Sequence, residues 1–256
     1  MKAKQIISLL KEYSIRFFRF LRKHYLAFFL AILAIFSYLN DSYDFYNNYL
    51  KQKKAEDGLA MLNTGVSIQH VKSVFGAPIR EEHRKNDGVS QYLYSFKKFF
   101  LQVVYDGDNT VVFYAVTSKS RDFKPKLPYL MIRNEDGFVS QKLGLTFKEY
   151  SDSANFIWSS LTSKFFDYYE SMYLGNPGNY RNLYLGYNPS GVFYGEIEVL
   201  RERVSPSEGE LERFRTKAFP NTFGVGQYLG DVDGIETTFG IGIDYYTSRD
   251  LPGHKF

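Results

Sequence analysis

Residues able to do chemistry are few in this chain, and their spacing limits what each can do. The four histidines, His24, His70, His83 and His254, show neither an HExxH pattern nor a paired spacing, so no shared metal site is expected. Asp231-Val-Asp233-Gly234-Ile-Glu236 sets acidic residues beside a glycine. A calcium loop, however, needs alternating oxygen ligands and a closing glutamate further along, so this stretch reads as a solvated acidic turn. Gly224-Val-Gly226-Gln-Tyr-Leu-Gly230 has one residue too many for a dinucleotide fingerprint and no strand–helix setting. Its glycines read as bends in a β-rich segment. There is no P-loop lysine and no GxSxG turn. The absence of Cys excludes thiolate catalysis, disulfides and a lipidated cysteine. No cofactor is expected.

Two clusters remain. Glu196 and Glu198 lie two apart on a strand predicted over Val192–Leu200, so both project from one face. Such a pair can share acid–base work, and an alternative reading as a membrane-anchored hydrolase of an envelope polymer rests on it. A half-buried strand with one wet face accounts for the same residues. The second cluster is aromatic, running from Phe165 to Tyr187 around Gly175-Asn-Pro-Gly-Asn179. Tyr168, Tyr173, Tyr180 and Tyr184 are its candidate partner-binding residues, because tyrosine is enriched at protein interfaces. The competing reading places them in a sheet core.

The elements that would carry these residues start with a basic segment. Residues 1–23 hold seven cations (Lys2, Lys4, Lys11, Arg16, Arg19, Arg22, Lys23) against Glu12, a balance of +6. The whole chain is +4, which leaves −2 for residues 24–256. A nucleic-acid partner is therefore not expected, since the positive charge is not on the folded region. At helical spacing, Ile6, Leu9, Leu10, Tyr13, Phe17, Phe20 and Leu21 share one arc and Lys4, Lys11, Arg16, Arg19, Arg22 and Lys23 the opposite one, with Ile15 the misfit. This predicts an amphipathic helix on an anionic leaflet, with Lys11, Arg16, Phe17, Arg19, Phe20, Arg22 and Lys23 as membrane contacts. Tyr25 to Leu39 follows as fifteen uncharged residues. The expectation is a transmembrane helix over residues 24–40, lengthened by snorkelling of Arg22 and Lys23. Asp41 and Asp44 precede the next cations, so the positive-inside rule places the N-terminus in the cytoplasm and the globular region in the periplasm.

A juxtamembrane helix is predicted over 41–63. After it, Ser67 is a fitting N-cap; Ile68, Val71, Val74 and Phe75 make an apolar face; Gly76 and Pro78 stop the helix. Strand-like runs follow at Val89–Phe96, Phe99–Tyr105 and Thr110–Thr117, the last two joined by Asp106-Gly-Asp-Asn109. Through Gly65, Ser67, Val71, Val74, Gly76, Pro78, Tyr92, Tyr94, Val103, Tyr105, Asp106, Val111 and Val112, residues 60–118 resemble the BamE/SmpA-like modules of bacterial envelope proteins. That resemblance implies a small α+β module over 64–120 used for protein contact rather than catalysis.

Arg121–Pro128 reads as a linker. In the second module, residues 129–256, Thr146-Phe-Lys-Glu149 is a capping-box match that opens a helix predicted over 147–161, with Trp158 in a core. Strand-like runs recur at Phe165–Tyr173, Tyr180–Tyr187 and Val192–Leu200, and again at Phe239–Tyr246. A charged helix is read within 205–217. Tyr187…Val192-Phe193-Tyr194 echoes Tyr105…Val112-Phe113-Tyr114, which raises a degenerate duplication.

The resulting expectation is an α+β chain: one N-terminal transmembrane helix, a BamE-like helix-plus-antiparallel-sheet module, and a second, duplicated α+β module. It would be a non-enzymatic, single-pass scaffold at the bacterial inner membrane, holding a protein partner or a second copy of itself. Its setting would be an envelope component or the membrane subunit of a defence-type complex. Besides the hydrolase, the other alternative is an effector that perturbs the membrane lipid through its N-terminal segment.

Overall fold

The uncharged sequence from Tyr25 onward folds as a helix, α1 (Tyr25–Phe45), followed by a π-type turn at Tyr46–Leu50. The computed structural model describes residues 13, 15, 16, 23–84, 88–134, 137–152, 156–161, 166–176, 179–200, 206–226 and 239–251. Two units are distinguished, Met1–Lys51 and Gln52–Phe256. Among the described residues no helix is long and apolar enough to cross a membrane, which overturns the transmembrane helix expected over 24–40. The physical reason lies in the length of the run. Fifteen residues rise about 22 Å, short of the roughly 30 Å hydrocarbon core. α1 then continues through Asn40, Asp41 and Ser42, where further apolar residues would be needed. Of the predicted membrane contacts, Arg16 and Lys23 are exposed, while Lys11, Phe17, Arg19, Phe20 and Arg22 lie outside the described residues.

The next helix, α2 (Lys51–Leu59), ends where helix was expected to continue to residue 63. It packs closely on α3 (Ile68–Phe75): a Cβ at Gly58 would stand 2.5 Å from a Val74 methyl, so only glycine permits the approach. α3 is capped as its sequence suggests, with Ser67 Oγ accepting from the His70 N–H at 3.2 Å and Gly76 at φ +83°.

Among the described residues ten strands follow: β1 (Arg80–Arg84), β2 (Val89–Ser95), β3 (Phe99–Tyr105), β4 (Val111–Ser118), β5 (Lys126–Asn134), β6 (Gly137–Lys142), β7 (Phe156–Leu161), β8 (Phe166–Asn176), β9 (Asn179–Tyr187) and β10 (Thr222–Gly226). Eight of them form one antiparallel sheet in the order β1-β2-β3-β4-β10-β9-β8-β7; β5 and β6 pair separately. The sheet is thus two meanders that meet at β4 and β10, with Val225 opposite Tyr114. Each meander is preceded by a helix, α3 for the first and α4 (Phe147–Tyr150) for the second.

Several expectations for the second half are corrected here. The capping box at Thr146 and Glu149 forms, but its helix stops at Tyr150, and Phe156–Leu161 pairs with β8 as an edge strand. The side chain of Trp158 lies outside the described residues. Val192–Leu200 is irregular; the place beside β9 is taken by β10, which arrives after α5 (Glu208–Lys217). The echo of Val112-Phe113-Tyr114 therefore falls on residues outside the sheet. Phe239–Tyr246 is not a strand either. It crosses the sheet without joining its ladder and leads into α6 (Tyr245–Asp250).

Alternation along the strands divides the core between two faces. Leu101, Val103, Tyr114, Val116, Leu183, Leu185 and Val225 join α3 and α5 in the main cluster. Phe113, Ala115, Tyr169 and Tyr184 point the other way and pack beneath Phe239 and Ile241. With both faces covered, every residue of β3 is buried. Side chains hold the crossing segment by its backbone. Gln102 donates to the Gly240 carbonyl and accepts from the Gly242 N–H, both at 2.8 Å, while the Tyr169 hydroxyl donates to the Ile241 carbonyl at 2.6 Å.

α5 is docked by Phe214 and Arg215. Phe214 packs on Tyr168 with ring centroids 4.7 Å apart. Arg215 forms a buried two-pronged pair with Glu170, Nε to Oε1 at 2.6 Å and Nη2 to Oε2 at 3.2 Å. Arg215 also donates to the Ser151 and Asp152 carbonyls at 2.7 and 2.9 Å, and the Tyr168 hydroxyl donates to Glu170.

Candidate functional site

The site with the geometry of a binding pocket lies between the end of α2 and the segment that opens β5. It is a cleft of about 650 Å³, within the range of roughly 300–1,000 Å³ typical of ligand pockets. One wall is Glu56–Asn63, which leaves α2 through a tight turn closed by Met61 N–H to the Gly58 carbonyl at 3.1 Å. The opposite wall is Asp122–Tyr129. Phe123 fixes it to the core by stacking on Phe99 at 4.9 Å, and its carbonyl accepts from the Tyr194 hydroxyl at 2.5 Å. The floor includes Leu62, Leu127, Phe223 and Tyr114 from the main cluster.

The second wall owes its shape to an interruption in the β5–β6 ladder. Lys126 pairs with Lys142 and Met131 with Ser140, so the residues between them bulge out of register. Within the bulge Leu127 turns fully into the core, and Tyr129 sits at φ +63°, a left-handed conformation rare for an aromatic residue. Its hydroxyl crosses to the other wall and donates to Asn63 Oδ1 at 2.7 Å. An observed backbone outlier held by a specific contact is a common mark of a working site.

The rim is charge-balanced, with Glu56, Asp57 and Asp122 against Lys98, Lys124 and Lys126. Lys98 and Glu56 pair at 2.9 Å. On the floor, Tyr114 is 1% exposed. Burial pushes its phenol above the ordinary tyrosine range, and Tyr129 nearby adds to the effect, so it stays a proton donor. Chemically the cleft offers apolar surface, balanced charge and a neutral phenol on its floor.

The residues singled out by sequence are not gathered here. Tyr168 is 0% exposed and bound into the Glu170–Arg215 node; Tyr184 is buried on the other face, edge-on to Phe113 at 5.8 Å. Tyr173 is 57% exposed, and the side chain of Tyr180 lies outside the described residues. The four therefore form no common surface among the described residues, because consecutive strand positions alternate between faces. Glu196 and Glu198 sit on irregular chain, Glu198 lying 4.0 Å from Lys217. Among the described residues no group of His, Asp and Glu could hold a metal ion. His83 contacts Ser90 Oγ at 2.6 Å, and His70 serves α3 through its backbone. Residues 227–238, including the acidic turn at Asp231–Glu236, and His254 lie outside the described residues. Sequence reading passed over Tyr114, Tyr129 and Asn63. The available signal was Pro125-Lys-Leu-Pro128, two prolines bracketing a buried leucine in what reads as a linker.

No family model and no curated protein matches the chain. Among solved structures it is similar to a cysteine-rich secretory protein from Staphylococcus aureus subsp. aureus Mu50, at 14% identity and a TM-score of 0.36, covering 67% of this chain and 47% of that one. It is also similar to an extracellular protein containing an SCP domain from Bacillus anthracis str. Ames, at 11% identity and a TM-score of 0.35, covering 65% and 44%. The matches thus span less than half of either neighbour. Neither neighbour is a BamE-like protein.

Proposed function

We propose that residues 52–256 form a non-enzymatic binding module that holds a protein partner through the cleft and the hairpin beside it. The observation that carries this reading is the β5–β6 hairpin. It stands apart from the main sheet and exposes Met131, Val139 and Phe138, the last at 73%. A two-stranded ladder is marginal on its own, and apolar side chains left in water at its tip cost solubility without adding to the core. Contact with another protein gives them a use. The hairpin is continuous with the cleft, since Lys126, Tyr129 and Ser140 belong to both. Met61, 57% exposed on the facing wall, extends the same surface.

The test is site-specific photo-crosslinking in cells, with a benzophenone amino acid at Met61, at Phe138 and, as a control, at exposed Asp108. One discrete adduct from Met61 and Phe138 is expected, absent from Asp108 and lost on Met131→Asp. Adducts indistinguishable from those at Asp108, or none, remove the reading.

A further inference from the structure

α1 presents more apolar surface than a lone helix keeps in water. Phe29, Phe36, Leu39 and Tyr43 are exposed, Phe36 at 65% and Tyr43 at 67%, as is Tyr46 where the π-type turn begins. Half-buried Ile32 completes a set of six whose positions recur at alternating steps of three and four residues. With 3.6 residues to the turn, all six share one arc about 100° wide. The reverse side is smaller and more polar: Ala27, Ala31, Ala34, Ser37 and Asp41 lie there beside Tyr38. Alternation between three and four is the repeat by which one helix lays a seam along another. At about 150–250 Å² for each aromatic side chain, the six leave roughly 600 Å² open. Leu33 and Ile35, exposed on the two flanks, bring the surface near the roughly 800 Å² per partner of a stable complex. A monomer seldom leaves a patch of that size in water.

We infer that α1 is a homotypic pairing helix, whose seam from Phe29 to Tyr46 packs against the same seam of a second copy of this chain. A surface that meets its own copy brings like charges together near the two-fold axis, so it must carry none there. Between Lys23 and Lys51 the acidic and basic residues are Asp41 and Asp44 alone, and at helical spacing neither falls on the seam. What remains is aromatic and aliphatic, the composition of a homodimer core. Lipid is the other apolar medium, but α1 reaches Asn40, Asp41 and Ser42 before it would cross one. The pairing is independent of the cleft: failure of the Phe138 crosslink leaves it standing, and its own failure leaves the cleft reading untouched.

The chain has no cysteine, so single-cysteine variants of the full chain report contacts without background. Phe36→Cys and Leu39→Cys stand at the middle of the seam, where two copies meet whether they run parallel or antiparallel. Ala34→Cys and Asp41→Cys stand on the reverse side as controls. Mild oxidation in intact cells, read on a non-reducing gel, should give a disulfide-linked dimer from the two seam variants and little or none from the controls. Equal dimer from all four means random collision and overturns the inference. No dimer from any of them overturns it as well, and recovery of that undimerised chain in the membrane fraction assigns α1 to lipid instead. A second measurement needs no cysteine. Phe36→Glu with Leu39→Glu should move the full chain from dimer to monomer in sedimentation velocity, with the unfolding midpoint of the sheet unchanged. A dimer that survives both substitutions, or a parent chain that sediments as a monomer, also overturns the pairing.

Discussion

Two tyrosines on one face of one sheet have opposite polar fates. Tyr168 and Tyr114 belong to the same core cluster and are both almost completely buried. The Tyr168 hydroxyl donates into the Glu170–Arg215 node, where Arg215 makes four hydrogen bonds to carboxylate and carbonyl oxygens. Tyr114 lines the floor of the cleft instead. A satisfied network rigidifies its surroundings and has no capacity left for a ligand; a phenol outside such a network keeps that capacity. The contrast separates the part of the molecule that holds α5 in place from the part that is available to a partner.

The contrast can be broken most severely at Arg215. Arg215→Met leaves the Glu170 carboxylate buried without its counter-charge and should cost about 3–5 kcal/mol in denaturant unfolding. Arg215→Met with Glu170→Met should recover most of that loss. A single-variant cost below about 1 kcal/mol would show that the node does not hold the second half together. Next in size, Tyr168→Phe removes a hydrogen bond to a buried carboxylate and should cost about 1.5–3 kcal/mol.

Alkali tests both tyrosines together. Burial raises the phenols of Tyr94, Tyr114, Tyr168 and Tyr187 above their unfolded range. The unfolded chain releases these protons at about pH 10 while the folded chain keeps them. The stability they lend is therefore fully present below about pH 10 and falls as pH rises toward the folded pKa values, by at most about 1.4 kcal/mol per pH unit for each fully buried phenol. Tyrosinate absorbance from these residues should appear together with loss of circular dichroism; absorbance that appears first contradicts the burial. Smallest of all, Tyr114→Phe removes a hydroxyl at the cleft floor that belongs to no network within the chain and should change stability by less than about 0.5 kcal/mol. Equal costs for Tyr114→Phe and Tyr168→Phe would erase the distinction between the two regions.

The parts legible in the sequence were those governed by neighbouring residues. Ser67 and Gly76 bracket α3, Thr146 and Glu149 form their reciprocal cap, and Asp106–Asn109 turns the hairpin, with Asn109 at φ +60°. The failures lie where distant chain decides. Phe156–Leu161 follows a helix start and reads as its continuation, but β8 offers a ladder that a helix would forgo. Val192–Leu200 has the composition of a strand, yet β10 already occupies the edge of β9. The site was the least legible. Pooling tyrosines by proximity in sequence mixed residues from two faces, and Tyr114 looks like any inward residue of an alternating strand. Its isolation depends on Phe123 and Leu127, which return over the sheet after a turn at Lys119–Asp122.

The segment that crosses the second face has a consequence for the newborn chain. Gln102 waits for Gly240, which is made 138 residues later. At ordinary ribosomal speeds of about 5–20 residues per second, that interval is on the order of ten seconds. Until it closes, Phe113 and, once made, Tyr184 have no cover from Phe239 and Ile241. The half-made sheet is therefore a client for whatever shields nascent polypeptides, and a ribosome stalled before residue 239 would release a product with one face bare.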